Sequence, residues 1–328
     1  MNATEKIVRL RDQDGLSWKQ IADAVKKPVQ TVRSTYRRNK VRELPTCILE
    51  CPEPVLPDEE LVYKRALKVY GDKLKHHEAK RKLEFSSGPI AMVFFADHHF
   101  GDSGTNVKRA FEEAELVMST PGAYIGLVGD LVNNYILDKL MRERFNSDFT
   151  IQDEWALVRR YLQVVGPKLK LVVRGNHDYW TQAVCGIDYL YETVSNNVGN
   201  IIYAANDCKL DVVVGGAKYP GRVRHAWRNN SMYNPSHGIE CAARADQDFI
   251  WAVGAHRHTG GVAREFDIGG KLGIAAICGS YKKLDDYADR LGFPYTNDAV
   301  GVTIIFTENG MFGTANLSLA MEYMREMY

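Results

Sequence analysis

The chain has 328 residues, 45% hydrophobic and 25% charged, with a formal net charge of +1, the balance of a soluble globular protein. No apolar run reaches the roughly 18 residues of a membrane span. The opening MNATEKIVRLRDQDG is charged and lacks the apolar core of an export signal, so a cytoplasmic location is the expectation. Charge is unevenly spread: residues 1–40 carry ten Lys/Arg against four Asp/Glu, whereas residues 91–328 carry 23 against 28. A basic head on a mildly acidic body points to two jobs in one chain.

In chain order, the first forty residues divide into three short helical pieces. TEKIVRLRDQ places Ile7 and Leu10 on one face and ends at Asp14-Gly15. SWKQIADAVKK opens on the N-cap residue Ser17 and sets Ile21, Ala22 and Val25 at helical spacing. After Pro28, VQTVRSTYRRNK puts Val29, Val32 and Tyr36 on one face and leaves Thr31, Arg33, Ser34, Arg37 and Arg38 largely free. Residues 41–57 hold four prolines and read as a linker. A charged helical stretch is expected from about Asp58 to Phe85; His76 and His77 are adjacent, so they share no helix face and receive no role. Of the six cysteines, Cys47 and Cys51 form a CxxxC with no second pair, so reduced thiols are expected rather than a zinc site.

From Pro89 the rhythm changes to strand-length apolar runs alternating with amphipathic helices. IAMVFFAD, YIGLVGD and LKLVVRGNHD are expected strands, each followed by helical sequence, of which residues 178–196 form a single helix. Mostly strands follow, ending in a hairpin about the Asn-Gly of TENGMFG. Parallel βα units followed by antiparallel strands imply an α/β fold of two packed mixed sheets flanked by helices. The domain division that follows is 1–40, a linker and charged helix over 41–88, and the body over 89–328.

Polar groups accumulate where the strands end: Asp97-His98-His99, Gly129-Asp130, Gly175-Asn176-His177-Asp178 and Ala255-His256-Arg257-His258. In an extended chain residues i and i+2 share a face, so Asp97 converges with His99, and His256 with His258. Carboxylate, imidazole and amide oxygen are the donors of a borderline-hard divalent metal, Mn²⁺, Fe or Zn²⁺. Several convergent ligands with aspartates among them suggest two ions sharing a carboxylate.

The elements DHH, GDLVN, RGNHD and HRH, in this order and each after an apolar strand, resemble those of the calcineurin-like metallophosphoesterases over residues 90–265. The resemblance implies a phosphoesterase with two divalent cations, manganese foremost. Asp97, His99 and His258 would hold the first, Asn176 and His256 the second, and Asp130 would bridge both. A further His on the second ion is implied between GNHD and HxH. His225, which closes an extended segment, is preferred over His237, which follows a turn-like Asn-Pro-Ser. His177 would protonate the leaving alkoxide, and Arg174 would either bind phosphate or form a structural ion pair.

Three departures from the family pattern stand out. Ala255 replaces a glycine. Asn133 stands where many members have an Asp that supports the general-acid histidine, and Asn134 where the protein phosphatases have a phosphate-binding arginine. The last argues against a Ser/Thr protein phosphatase. The substrate readings are a nuclease or DNA-end phosphatase, a phosphodiesterase on small molecules such as cyclic nucleotides, and a catalytically idle DNA-binding regulator. Residues 1–40, through LSWKQIADAV and TVRSTYRR, resemble the helix-turn-helix domains of DNA-binding regulators, with a helical bundle for assembly as the alternative.

Overall fold

A computed structural model describes residues 2–39, 58–140, 144–145, 147–229, 231, 233–283 and 298–328. The expected linker at 41–57, with Cys47 and Cys51, lies outside the described residues. The chain divides into two compact units, Met1–Asp72 and Lys73–Tyr328.

The first unit contains α1 (Ala3–Asp12), α2 (Trp18–Val25) and α3 (Val29–Asn39). Asn2 and Ser17 cap α1 and α2 through reciprocal bonds with Glu5 and Gln20, which satisfies amide donors at each helix start. Ile7, Ile21, Ala22, Val32 and Tyr36 form its core, and the Tyr36 hydroxyl donates to Asp12. Val29, expected on the buried face, is exposed at the first position of α3. There the helix has not yet come back over the bundle.

A long helix, α4 (Glu59–Glu78), precedes the sheets. The helical expectation through Phe85 fails at its end, because Lys80–Phe85 is a strand, β1. In KRKLEF only the second half, Lys82 to Phe85, alternates charged and apolar residues, and β1 lies parallel to β6 (Asp207–Val214) at a sheet edge. Leu83 and Phe85 pack inward while Arg81, Lys82 and Glu84 stay at the surface, so the pairing rather than the composition selects a strand.

Two six-stranded sheets form the body. One is ordered β12-β11-β2-β3-β4-β5, with β2 (Ile90–Phe95), β3 (Ala123–Val128), β4 (Leu169–Val173) and β5 (Ile202–Ala204) parallel. The strands β11 (Val302–Phe306) and β12 (Met311–Thr314) are antiparallel at its side. The other is ordered β1-β6-β7-β8-β10-β9, with β6 (Asp207–Val214), β7 (Ala217–Arg224), β8 (Trp251–Gly254), β9 (Val262–Ile268) and β10 (Lys271–Ile277).

The period of two in the strands sorts their side chains between layers. Ala91, Val93 and Phe95 of β2 face the helices α5 (Val107–Met118), α6 (Ile151–Val165), α8 (Tyr189–Val198) and α10 (Leu317–Met327). Ile90, Met92 and Phe94 face the second sheet. The helix α9 (His237–Asp246) covers that sheet's outer side through Ile239 and Ala243 against Ala252, Ala275 and Ile277. The order is therefore helix, sheet, sheet, helix, the α/β sandwich expected.

Other boundaries differ from expectation. The third strand ends at Val173, and Asn176 begins α7 (Asn176–Cys185). The helix expected over 178–196 is two, parted where Gly186 turns left-handed at φ 77°. Among the described residues no helix is long and apolar enough to cross a membrane.

Trp251 fills the space between the sheets. It is fully buried, with its ring 6.0 Å from that of Phe94 and 5.4 Å from that of Phe306, and its indole N–H donates to the Tyr219 carbonyl at 3.0 Å. Gly221 opposite has no room for a Cβ, which would lie 1.9 Å from the indole. Trp251→Ala is expected to lower unfolding free energy by about 3–5 kcal/mol, read from the midpoint of urea denaturation.

A candidate metal centre at the strand ends

The chain leaves β2 and β3 as two loops that keep pairing beyond the strands. The amides of Asp97, His99 and Phe100 donate to the carbonyls of Gly129, Asp130 and Leu131 at 2.9–3.0 Å. This backbone zipper places Asp97 and His99 beside Asp130. The residues are not extended, however. Asp97, His99, Asp130, His256 and His258 all have positive φ, between 46° and 75°. The i, i+2 argument thus reaches a correct neighbourhood by a wrong geometry: Asp97 and His99 converge through left-handed turns, whereas His256 and His258 fall in different ligand groups. Such turns cost most side chains energy, though Asn, Asp and His enter them most readily.

Two further ties join this loop pair to the other sheet. The amide of His256, just after β8, donates to Asp97 Oδ2 at 2.8 Å. His225, just after β7, presents Nδ1 to the Val128 carbonyl at 2.7 Å. Since a carbonyl only accepts, Nδ1 carries a proton, and Nε2 points into the cluster. There Nε2 lies 3.1 Å from Asp130 Oδ2, 3.2 Å from Asn176 Oδ1 and 3.2 Å from His256 Nδ1. The structure therefore brings His225 to the cluster. His237 begins α9 and faces Cys241 Sγ at 3.4 Å.

On the other side of Asp130, His99 Nε2 and His258 Nε2 stand 3.0 Å apart. Asp97 Oδ1 lies 3.9 Å from Nε2 of His99, 3.9 Å from that of His225 and 3.7 Å from that of His258. It is buried and accepts no hydrogen bond. A buried carboxylate oxygen without a donor is costly, and here imidazole nitrogens surround it at a distance that leaves room between them. Ligand atoms close enough to share an ion fall into the groups Asp97–His99–His258, His99–Asp130–His177 and Asp130–His225–His256. The donor set and the unpartnered oxygen fit divalent cations.

The electrostatics agree with that fit. Burial opposes charge on His225, yet Asp130 and Asp97 raise it to about 10, so the carboxylates favour a cation at this point. Burial would raise Asp130, but His225 and then His177 and His99 hold it below the usual carboxylate range. Burial, then His177 and His258, push His99 well down, leaving it neutral and able to bind metal. His98 faces away as expected, packed against Tyr161, Tyr281 and Phe100, where burial lowers it to about 3.

His177 follows Asn176 at the start of α7. Its amide donates to Asp130 Oδ1 at 2.8 Å, and its Nδ1 donates to the Asn133 backbone carbonyl at 2.6 Å. At the place of the family's supporting Asp, the main chain of Asn133 rather than its side chain holds the ring; Asn133 Oδ1 itself is buried without a donor. Burial lowers His177, with Asp130 and the carbonyl opposing. Asn134 donates to the His177 carbonyl and, at 3.0 Å, to Thr181 Oγ1. Arg174 is buried in an ion pair with Asp188 at 2.6 Å and also donates to Gln182, the structural one of its two expected roles. Ala255 needs no glycine freedom, because the positive φ falls on His256 and His258.

Two buried carboxylates escaped the sequence reading. Asp178 accepts from the amides of Asp130 (2.8 Å), Leu131 (2.9 Å) and Gly175 (2.8 Å). Burial, then the Asp130 charge, raises it to about 7. Its position as the last residue of GNHD was the only signal. Gly129, at φ 85°, and Gly175 let these backbones touch, since a Cβ on Gly175 would lie 2.1 Å from Asp130 Oδ1. Glu154 of α6 accepts from the Asn134 amide at 2.6 Å and pairs with Arg144 at 3.0 Å. It occupies a buried position of an amphipathic helix, where sequence alone offers no reason for a carboxylate.

No protein-family model matches this chain, and no curated protein does. Among solved structures it is similar to Vps29 from Chaetomium thermophilum (12% identity, TM-score 0.36, covering 69% of this chain and 94% of that one). It is also similar to the calcineurin-like phosphoesterase YfkN from Bacillus subtilis (10%, 0.37, 73% and 99%) and the nuclease MPE from Pseudomonas putida (11%, 0.30, 68% and 87%). These likenesses are distant.

Burial raises Glu154 from 4.5 to about 7, so the folded state favours its protonated form. Its contribution to stability is full below pH 4.5 and is lost as pH rises to about 7, by at most about 3 kcal/mol. In Glu154→Gln, urea denaturation of metal-free protein from pH 4.5 to 8 is expected to show a flatter decline than the parent.

Proposed function

We propose that this chain is a dinuclear metal-dependent phosphoesterase acting on phosphomono- or phosphodiesters, with nucleic acid or nucleotides as its substrates. The observation that carries the reading is Asp97 Oδ1, buried, without a donor and facing the Nε2 atoms of His99, His225 and His258. Asp97, His99 and His258 would hold one cation and Asn176, His225 and His256 the other, with Asp130 between them. Bound there, two divalent cations supply the charge that neutralises a phosphoryl group and acidifies the attacking water. Manganese suits the mixture of carboxylate, amide and imidazole, and iron or zinc would also bind it.

The protein's own part is positional. His177 donates its Nδ1 proton permanently to the Asn133 carbonyl, which reserves Nε2 for taking and giving a proton. The hydrogen bond from its backbone N–H to Asp130 fixes the ring's distance from that carboxylate. Burial makes the imidazolium readier to release its proton to a leaving alkoxide.

The basic first unit supports nucleic acid as substrate. Thr31, Arg33, Arg37 and Arg38 are exposed along α3, and Arg11 and Arg33 lie against Trp18, 4.5 and 5.8 Å from its ring centre. Such a face can meet phosphates and present side chains to a groove.

Asp130→Ala and Asn176→Ala are each expected to lower kcat/KM for an aryl phosphodiester with Mn²⁺ by more than about 10²-fold, while circular dichroism stays unchanged. Full activity in either variant would overturn the reading. Removing residues 1–57 is expected to weaken DNA binding and flatten its dependence on salt; an unchanged affinity at low salt would exclude the head from DNA contact.

A further inference from the structure

Beside His177 the surface is aromatic. The Trp180 ring, one turn along α7, lies 3.9 Å from the imidazole centre at 34°. Tyr135, directly after Asn134, lies 6.0 Å from the same imidazole and 6.4 Å from Trp180, with 31° between their planes. All three rings are half-buried, and neither Tyr135 nor Trp180 belongs to a hydrophobic core. Lys282 completes the rim. Its ammonium donates to the Tyr135 hydroxyl at 3.4 Å and pairs with Asp102 at 3.0 Å, while only 8% of its side chain is exposed. The segment before it is tied to the cluster, since the Tyr281 amide and Ser280 hydroxyl donate to the Asp97 carbonyl at 3.1 and 2.9 Å.

We propose that Tyr135, Trp180 and Lys282 form a subsite for the nucleoside of the leaving group, with the base against the aromatic rings and its phosphate facing the lysine. The inference rests on the phosphoesterase reading, because only that reading makes His177 the leaving-group side. Two partly exposed aromatic faces at a shallow mutual angle offer any base a π-surface, and a neighbouring cation serves the backbone, the usual pairing in single-stranded nucleic-acid sites. The position selects a nucleoside over a phenol. A phenolic ring is bonded directly to the leaving oxygen and would meet the imidazole itself. A base stands one sugar further out, where Tyr135 and Trp180 are.

The test is equilibrium binding to the full chain without metal, so that nothing is turned over. The probes are thymidylyl-thymidine, its two analogues lacking one base each, and phenyl phosphate. Removing one of the two bases is expected to weaken binding about tenfold. That discrimination should vanish in Tyr135→Leu and Trp180→Leu and persist in Trp180→Phe, with circular dichroism confirming that each variant is folded. Lys282→Gln should weaken all phosphate-bearing probes together. Equal binding of the three dinucleotides, discrimination that survives both leucine variants, or phenyl phosphate binding as tightly as the dinucleotide would overturn the subsite. Hydrolysis of an aryl phosphodiester with Mn²⁺ reports separately on the underlying reading. Turnover without base discrimination defeats the subsite alone, and discrimination without turnover defeats the phosphoesterase.

Discussion

The arrangement hangs on one buried carboxylate. Asp178 gathers the amides of Gly175, Asp130 and Leu131 onto two oxygens, pinning the loop after β3 to the start of α7. Each such hydrogen bond contributes about 1 kcal/mol, and losing the acceptor would strand at least three buried donors at once. Asn176 and His177 take their positions from this pin, and so does Asp130, whose Oδ1 then accepts from His177 N. A residue that touches no substrate thereby sets the distance between the central carboxylate and the candidate general acid.

Around the pin, the cluster is built from backbone in left-handed conformations. Asp97, His99, Asp130, His256 and His258 all carry positive φ, a concentration of strain that only surrounding structure can hold. What holds it is visible: the loop zipper from Asp97 to Phe100, the His256 amide on Asp97 and the His225 ring on Val128. The last two cross between the sheets, so the site and the sandwich stabilise one another. Trp251, seated between the sheets against Phe94 and Phe306, keeps their ends close enough for those bonds to form.

Much of this was legible in the sequence, and the misses have physical causes. Apolar runs such as IAMVFF, ending in Asp, Asn and His, marked both the sheets and the site, because strand ends are where a backbone can release polar groups. The extended-chain reasoning for Asp97 and His99 failed because φ at a loop residue depends on partners in other loops. KRKLEF was misread because its pairing with β6 is non-local. Glu154 and Asp178 were missed because each answers a backbone amide some twenty or more residues away. The Asn133 side chain drew attention, yet its carbonyl meets His177, and a carbonyl is the one group every residue shares.

The sequence by itself determined most of the element types, the two-sheet architecture and the identity of the polar groups at the strand ends, since these follow from periodicity and local composition. It also narrowed the last histidine to two. The extended segment before His225 made it the preferred one, and the tertiary structure shows where each lies. It set His225 beside Asp130 and His237 at the start of a helix, because distance in space is decided by which strands pair, and pairing belongs to the whole chain. The same holds for the rim of Tyr135, Trp180 and Lys282: three segments that no spacing relates, brought together by the packing of the loops that carry them.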